Sequence, residues 1–222
     1  MDKAKAILFV THDVGMVKNF CNKVIWLKDG EIFKTGEPRD ICKQYVAYMA
    51  FEDVGTEGVD SVTPIIPSDS KDLNWINAQK FESFGERGAL IEKVFFHKKS
   101  DPTYTDNFIG NEDCCLHLYV KGYSSITNPI YGFILKDCYG NQITGMNTFV
   151  YDVQVESLGA GESFKISINF KLPNLKNGVY TISPAVAEGT MENHIQHHWV
   201  HDAVVFNVNS NKITNTVGWY FT

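Results

Sequence analysis

The chain has 222 residues and a mass of 25.1 kDa, which suits one large domain or two small ones. Hydrophobic residues make up 44% and charged residues 21%, a balance that excludes a disordered or membrane-embedded chain. No apolar run approaches the roughly 20 residues of a membrane-spanning helix. The net charge of -6 argues against nucleic acid as a partner, because phosphate contacts need clustered Lys and Arg.

The cysteines argue against a disulfide framework and against a cysteine-rich zinc site. They are odd in number and contain no C-x-x-C pair, so we expect reduced thiols in the cytosol. They are Cys21, Cys42, Cys114, Cys115 and Cys138.

The first fifty residues predict a small α/β unit. Residues 6–10 are a continuous apolar run, which is typical of a strand buried on both faces of a parallel sheet. The predicted elements that follow are a short helix capped by Asp13, a β-hairpin at residues 24–35 with a turn at Asp29-Gly30, and a helix from Pro38 to about residue 50.

The hydrophobic periodicity is lost from residue 51 to residue 74. The stretch GTEGVDSVTPIIPSDSKD at residues 55–72 is rich in Gly, Pro, Ser and Asp, which predicts a linker. The predicted organisation is therefore an α/β segment at residues 1–50, a linker at 51–74 and a further domain at 75–222.

The sequence from Trp75 onward is typical of an all-β domain. Apolar residues alternate with polar ones at 116–121 and again at 164–171, the pattern of strands with one buried face. Turn residues recur at 137–141, 159–161 and 174–178. This spacing predicts an antiparallel β-sandwich of roughly 150 residues.

The segments ILFVTHD at residues 7–13 and VIWLKDGEIFKTGEP at residues 24–38 resemble the last part of an ABC-type ATPase domain. In that family the buried strand delivers a switch histidine, and the resemblance assigns that catalytic role to His12. An imidazole at the carboxyl end of such a strand can donate a hydrogen bond to a γ-phosphate oxygen. The less favoured alternative is that His12 merely caps the end of the strand.

The rest of an ATPase is not found in this sequence. There is no G-x-x-x-x-G-K-[ST] phosphate loop, no LSGGQ-like signature and no acidic strand end for magnesium. We expect the chain alone neither to bind ATP well nor to hydrolyse it. We expect it to be the tail of a longer protein, and only that intact parent would use ATP and Mg²⁺.

The second part of the chain is similar to the C-terminal β-sandwich of Wzt-type ABC subunits, which export O-antigen polysaccharides. The residues that carry the similarity are FGERGALIEKV at 84–94, YGFILKDCYGNQITGMNT at 131–148, LGAGESFKISINFKLPNLKNGVYTIS at 158–183 and HDAVVFNV at 201–208. The resemblance implies an Ig-like or jelly-roll sandwich that binds the exported glycan, preceded by the α/β fragment of the ATPase domain.

The same resemblance implies the partners and the location. They are a lipid-linked polysaccharide, a membrane-spanning permease and a second copy of the subunit, at the cytoplasmic face of the bacterial inner membrane. In that family the sandwich can exchange an edge strand with its partner, and the terminal GWYFT at residues 218–222 is the candidate strand here.

Sugar binding is expected where an outward aromatic ring lies beside amide, carboxylate or imidazole groups, because rings stack on sugar faces and planar polar groups bind hydroxyls. Isolated aromatic residues in a sandwich more often pack in the core or at its rim. The candidates are Tyr119, the cluster of Tyr151 with Asn147 and Gln154, and the cluster of Trp199 with Gln196 and His197.

Four of the seven histidines lie in HIQHHWVH at residues 194–201. Their i, i+4 spacing binds zinc on a helix, but the valines around them favour a strand or its entry loop, where that spacing is not preset. The sequence therefore predicts no metal site.

The leading hypothesis is glycan recognition by the C-terminal domain of a polysaccharide exporter's ATPase subunit, which would couple ATP-driven export to substrate selection. The alternative is a dimerisation or docking sandwich without sugar affinity. A freestanding glycosidase is the weakest hypothesis, because no spacing singles out a pair of catalytic carboxylates.

Overall fold

The computed structural model describes residues 7–28, 30–52, 59–65, 74–101, 103, 107–191 and 193–209. The chain divides into two compact units, with the boundary between Met49 and Ala50. We describe each unit by itself.

The first unit contains two helices and a hairpin: α1 at Val14–Phe20, β1 at Val24–Lys28, β2 at Glu31–Gly36 and α2 at Pro38–Glu52, whose last residues lie beyond the boundary. The Asp13 side chain caps α1, since its Oδ1 accepts a hydrogen bond of 2.9 Å from the Met16 amide. Strands β1 and β2 pair antiparallel. The predicted cap, hairpin and second helix are thus confirmed.

The core of this unit is a small aromatic cluster around Trp26. The Trp26 ring meets the rings of Phe33, Tyr45 and Tyr48 edge-on, with centroids 4.7, 5.3 and 5.1 Å away. Ile41 is also buried here. The cluster joins the hairpin to α2.

The predicted strand at residues 6–10 is wrong for the residues that the structure describes. Residues 7–10 adopt no regular secondary structure, and their side chains are 50% to 92% exposed. A strand is stabilised by a hydrogen-bonded neighbour, and within the described part of this unit β1 and β2 pair only with each other. Apolar character alone therefore does not make this segment a strand.

The second unit is built from mainly antiparallel sheets, as predicted for a β-sandwich. Its described elements are β3 at Val59–Ile65, β4 at Ile76–Asn77, a 3₁₀ turn at Ala78–Lys80, β5 at Ser83–Phe84, β6 at Ala89–Lys98, β7 at Asn107–Phe108, β8 at Asp113–Gly122, β9 at Pro129–Asp137, β10 at Gln142–Asn147, β11 at Ser163–Lys171, β12 at Gly178–Gly189, β13 at His194–Val200 and β14 at Val204–Val208.

Among the described residues, one sheet has five strands in the order β3-β11-β8-β6-β4. The two alternating runs predicted from the sequence are β8 and β11, which are neighbours, and Ile168 pairs with Leu116. Their apolar faces enter the main core, as does that of β6. The opposite face of β6, β8 and β11 is called the outer face below.

The other sheet contains the described strands β10-β9-β12-β13-β5, with β14 beside β12 and β7 beside β14. Strand β12 is long enough to pair with β14 through its first half and with β13 through its second. Phe133, Ile182 and Val204 from this sheet share one buried core with Ile91, Leu116 and Ile168 of the five-stranded sheet. The two sheets thus form a sandwich.

The predicted linker at residues 51–74 needs a correction at residues 59–65. This segment is strand β3, and it pairs antiparallel with β11 in the register Val62 to Ile168. The Pro and Ser residues of VDSVTPI do not predict a strand from sequence. The strand lies at the sheet edge, where Pro is tolerated, and pairing with a distant segment stabilises it. Helix α2 likewise extends to Glu52.

Candidate functional site

A cavity of about 560 Å³ lies beside β4 at the edge of the five-stranded sheet. We call its lining the Trp75 surface, which consists of Asn74, Trp75, Asn77, Gln79, Glu92 and Lys93. It combines one aromatic ring with three amides, one carboxylate and one ammonium group. This is the set of side chains that binds hydroxyl-rich ligands.

Strand β4 and the turn after it fix the Trp75 surface to the sheet. Ile76 pairs with Val94 of β6, and Ala78 is buried in the main core. Asn77 caps the 3₁₀ turn, since its Oδ1 accepts a hydrogen bond of 2.9 Å from the Gln79 amide. The buried residues anchor the turn, and the polar side chains of Asn77 and Gln79 remain exposed.

Tyr119, one of the predicted sugar contacts, lies next to the Trp75 surface on the outer face of β8. Its ring meets the Trp75 ring at an angle of 74°, with centroids 6.4 Å apart. The Lys93 ammonium lies 5.7 Å from the Tyr119 ring centre, and the Lys165 ammonium lies 6.0 Å from the Trp75 ring centre. Tyr119 is half-buried. The structure therefore brings this candidate together with an aromatic partner that the sequence analysis did not choose.

A second cavity, of about 360 Å³, contains one more predicted residue. The exposed Gln154 lines it together with Phe149, Asp152, Asn128 and Thr190. It too offers an aromatic ring next to polar groups, and it lies between the end of β12 and the loop that follows β10.

The two other members of that predicted cluster lie deeper in the protein. Asn147 is 1% exposed, and its side chain accepts from the Val150 amide at 2.9 Å while donating to the Met191 sulfur at 3.5 Å. Tyr151 is half-buried against the main core, and this burial raises the pKa of its phenol. Asn147 thus holds the loop after β10 and is not placed where a sugar could reach it.

The side chains of the predicted cluster on β13 also contact other parts of the protein. Gln196 Nε2 donates to the backbone oxygens of Val186 and His198, at 2.8 and 3.1 Å. His197 is buried, with its Nε2 3.2 Å from a Glu188 carboxylate oxygen. Trp199 is 1% exposed and stacks on Phe84. These side chains fix the strand within its sheet. The stretch 194–200 is a strand, one of the two alternatives (a strand or its entry loop) that the sequence left open.

His12, the predicted switch histidine, is exposed at the bend between residues 7–10 and helix α1. Its neighbour Thr11 accepts a hydrogen bond from the Asp13 amide at 3.0 Å. The switch role stays a prediction, since it concerns a nucleotide held by other parts of an ATPase.

Sequence reasoning missed the Trp75 surface, although the signal was present. The segment NWINAQ at residues 74–79 places an aromatic residue between three amides within six positions. The same rule that selected Tyr151 with Asn147 and Gln154 would have selected it.

The fold and the outer surfaces define a β-sandwich domain with polar, aromatic-lined cavities. The sequence model of the Wzt C-terminal domain matches residues 80–221, so the chain belongs to the Wzt C-terminal domain family. A solved structure described as the C-terminal domain of Wzt superposes with a TM-score of 0.56 at 15% identity, covering 64% of this chain and 89% of that one. That likeness supports the fold.

Two curated relatives are similar over a short stretch. The teichoic acids export ATP-binding protein TagH of Listeria innocua is 40% identical over 47 residues, which are 21% of this chain and 14% of that protein. TagH of Lactococcus lactis is 38% identical over 48 residues, which are 22% of this chain and 10% of that protein. The chain thus matches only about a tenth to a seventh of these relatives.

Within the described part of the chain, no helix has both the length and the apolar character needed to cross a bilayer.

Proposed function

We propose that the sandwich recognises a glycan and that the Trp75 surface is its contact site. The observation that carries this proposal is the cavity of about 560 Å³ in which the Trp75 ring lies among Asn74, Asn77, Gln79 and Glu92. A sugar ring would stack on the indole, while amide and carboxylate groups would exchange hydrogen bonds with its hydroxyls. Tyr119 would extend the aromatic surface toward the next residue of the polymer.

The proposed setting is a polysaccharide exporter, for which the family and the similarity to ATP-binding export proteins are the support. The domain would select a lipid-linked polysaccharide, and an ATPase dimer bound to a membrane permease would drive its export. In that assembly ATP and Mg²⁺ would be bound by the ATPase domain, with His12 near the γ-phosphate. The predicted strand exchange through Gly218–Thr222 concerns residues outside those described.

The test is titration of the full chain with oligosaccharides prepared from the surface polysaccharide of the host organism, followed by calorimetry. We expect weak, saturable binding, because water competes for every hydroxyl. Trp75→Ala should weaken it about fivefold, since the loss of one stacking contact costs on the order of 1 kcal/mol.

The matched control is Tyr139→Ala, which removes an exposed aromatic ring from the turn between β9 and β10. This variant should bind as the parent chain does. Absence of binding at about millimolar oligosaccharide would exclude glycan recognition and favour the docking alternative. Binding that survives Trp75→Ala but is lost in Gln154→Ala would move the site to the cavity beside Phe149.

A further inference from the structure

Three side chains that commonly bind metals meet on the outer face of the five-stranded sheet. They are His97 of β6 with Cys115 and His117 of β8, and one donor atom from each lies within 4.8 Å of the other two. Their exposed fractions are 8%, 5% and 9%, so all three are buried. The cluster is separate from the histidines of β13 that the sequence analysis weighed as zinc ligands.

The strand register brings these residues together. His97 and Cys115 are directly opposite each other across β6 and β8. His117 follows Cys115 by two positions, which returns it to the same face of the sheet. Ser167 of β11 is opposite His117 on the other side. Three neighbouring strands therefore hold the cluster in place without any loop.

Two of the three donor separations are close to what a zinc-sized ion needs, and the third, between His97 and the Cys115 sulfur, is at most 4.8 Å. The two imidazole Nε2 atoms are 3.0 Å apart, and the Cys115 sulfur is 3.5 Å from His117 Nε2. Tetrahedral bonds of about 2.05 Å to nitrogen and about 2.3 Å to sulfur imply separations of about 3.3 Å and about 3.5 Å. The sulfur is also 3.8 Å from His117 Nδ1, so it lies beside the ring and not along the Nε2 lone pair. Binding would require the Cys115 side chain to turn toward that lone pair and the imidazoles to separate by a few tenths of an ångström.

Hydrogen bonds at Nδ1 of each imidazole orient the two rings so that their Nε2 atoms face each other. His97 Nδ1 lies 2.7 Å from the Lys98 carbonyl oxygen, to which it donates, and this leaves Nε2 with its lone pair. His117 Nδ1 lies 2.7 Å from the Ser167 hydroxyl. Such contacts behind ligand histidines fix the tautomer and ring orientation in metal sites.

The Ser167 hydroxyl suits both states of the cluster. Without an ion, His117 Nε2–H donates to His97 Nε2, and His117 Nδ1 accepts from the hydroxyl. With an ion, both Nε2 atoms are ligands, and His117 Nδ1–H donates to the Ser167 oxygen, because a hydroxyl can donate or accept. The same side chains thus satisfy their hydrogen bonds before and after the metal enters.

We propose that His97, Cys115 and His117 form a binding site for a divalent transition-metal ion of the zinc class. Two imidazoles and one thiolate match the preference of such ions, and three protein ligands leave a fourth position for water or another ligand. The Cys115 thiol releases its proton to solvent when the sulfur binds the ion. The site does not depend on glycan recognition.

The test uses the full chain, stripped with a chelator and titrated with Co²⁺ as a spectroscopic probe. One equivalent should produce intense visible bands of four-coordinate cobalt together with a near-ultraviolet thiolate-to-cobalt transition. Zn²⁺ should then displace the cobalt and abolish the spectrum. X-ray absorption of the zinc form should show one sulfur and two imidazole ligands.

Variants separate a metal site from a hydrogen-bonded cluster. Cys115→Ser should abolish the thiolate transition and weaken Zn²⁺ binding about 100-fold, and Ser167→Ala should weaken it about tenfold by freeing the His117 ring. Controls are Cys114→Ala, which removes a buried thiol of the core face, and Cys138→Ser, which removes an exposed one. Both should bind as the parent chain does.

Folding is checked by circular dichroism of each stripped variant. If Cys115→Ser does not fold, Ser167→Ala, which deletes one hydroxyl, still decides the question. Zn²⁺ binding no tighter in the parent chain than in Ser167→Ala, or cobalt spectra of six-coordinate type without the thiolate transition, would overturn the proposal. The cluster would then be a buried hydrogen-bond chain.

Discussion

The sandwich closes one core between two sheets, whereas residues 7–49 share a single small aromatic cluster. Most of the large hydrophobic side chains that are exposed among the described residues belong to this first unit. They are Ile7, Leu8, Phe9, Val10, Met16, Phe20, Ile25, Leu27, Ile32, Phe33, Val46 and Met49.

The difference shows that a hydrophobic pattern buries its apolar side chains only where a second layer of structure packs against it. A two-stranded hairpin is marginal alone and needs a further layer to bury its faces. In the first unit α2 covers one face of the hairpin around Trp26, while Ile25 and Leu27 on the other face stay exposed. In the sandwich both sheets supply that layer to each other.

The largest effect expected from this comparison follows Phe96→Ala. Phe96 lies between the rings of Phe108, Phe170 and Phe206, with centroids 4.8, 5.8 and 5.2 Å away. Truncating a buried Phe costs about 3–5 kcal/mol. We expect the free energy of unfolding of the sandwich to fall by about 4 kcal/mol, measured by urea denaturation.

The corresponding change in the first unit is the truncation of Trp26. Trp26→Ala should accelerate hydrogen exchange in β1, β2 and α2, while peptides of the sandwich keep their protection, since the two units have separate cores. Phe149→Ala, at an exposed ring of the sandwich, serves as the control for aromatic truncation. Loss of protection in both units after Trp26→Ala would show that they fold as one.

The same contrast explains which parts of the fold could be predicted from sequence. The alternation in β8 and β11 is local and was interpreted correctly, as was the hairpin turn of the first unit. Strand β3 was missed because only its distant partner β11 makes it a strand. Residues 7–10 were predicted as a strand because they are apolar, but among the described residues they have no strand partner.

The candidate sites, like the strands, could be predicted from sequence only where their residues are close together along the chain. The Trp75 surface could have been found, because its aromatic and amide groups are close in sequence. The metal cluster could not, because His97 and His117 are 20 positions apart and meet only through the register of β6 and β8. Spacing drew attention to the histidines of β13, but the sequence analysis predicted no metal site there, because that spacing does not preset a ligand geometry on a strand.

A smaller effect is expected from pH, and it should be confined to the sandwich. His198 of β13 is buried, and its Nδ1 accepts a hydrogen bond of 3.0 Å from the Ile91 amide of the opposite sheet. Burial and the nearby Arg87 charge lower the pKa of His198 to about 4. The unfolded chain, with a pKa near 6.5, therefore binds more protons between these values.

The stability that His198 contributes is thus complete above about pH 6.5 and is lost as the pH falls toward about 4. His198→Asn keeps an acceptor for the Ile91 amide but cannot titrate. We expect it to flatten the decline of sandwich stability by up to about 3 kcal/mol across this window, measured by urea denaturation at several pH values. The exposed His12→Asn is the control, and equal slopes in the parent chain and His198→Asn would refute the assignment.

The smallest effect is expected at Asp202, in the bend between β13 and β14. Its Oδ1 accepts from Thr181 Oγ1 at 2.8 Å and from Ser183 Oγ and Lys136 Nζ at 3.2 Å each. Partial burial acts to raise the pKa of Asp202, but the Lys136 charge and the hydroxyl hydrogen bonds outweigh it, so the pKa is lowered. Its contribution to stability is present above the unfolded pKa and is lost as the pH falls below it.

Because the Asp202 side chain is 49% exposed, solvent screens the ion pair. Asp202→Asn should lower the free energy of unfolding by only about 1 kcal/mol at neutral pH, and the difference should shrink in acid and in high salt. Asp152→Asn is a matched control, because Asp152 has the same positive φ of 50° and is exposed. If both variants lost equal stability, the backbone conformation and not the hydrogen bonds of Asp202 would explain the loss.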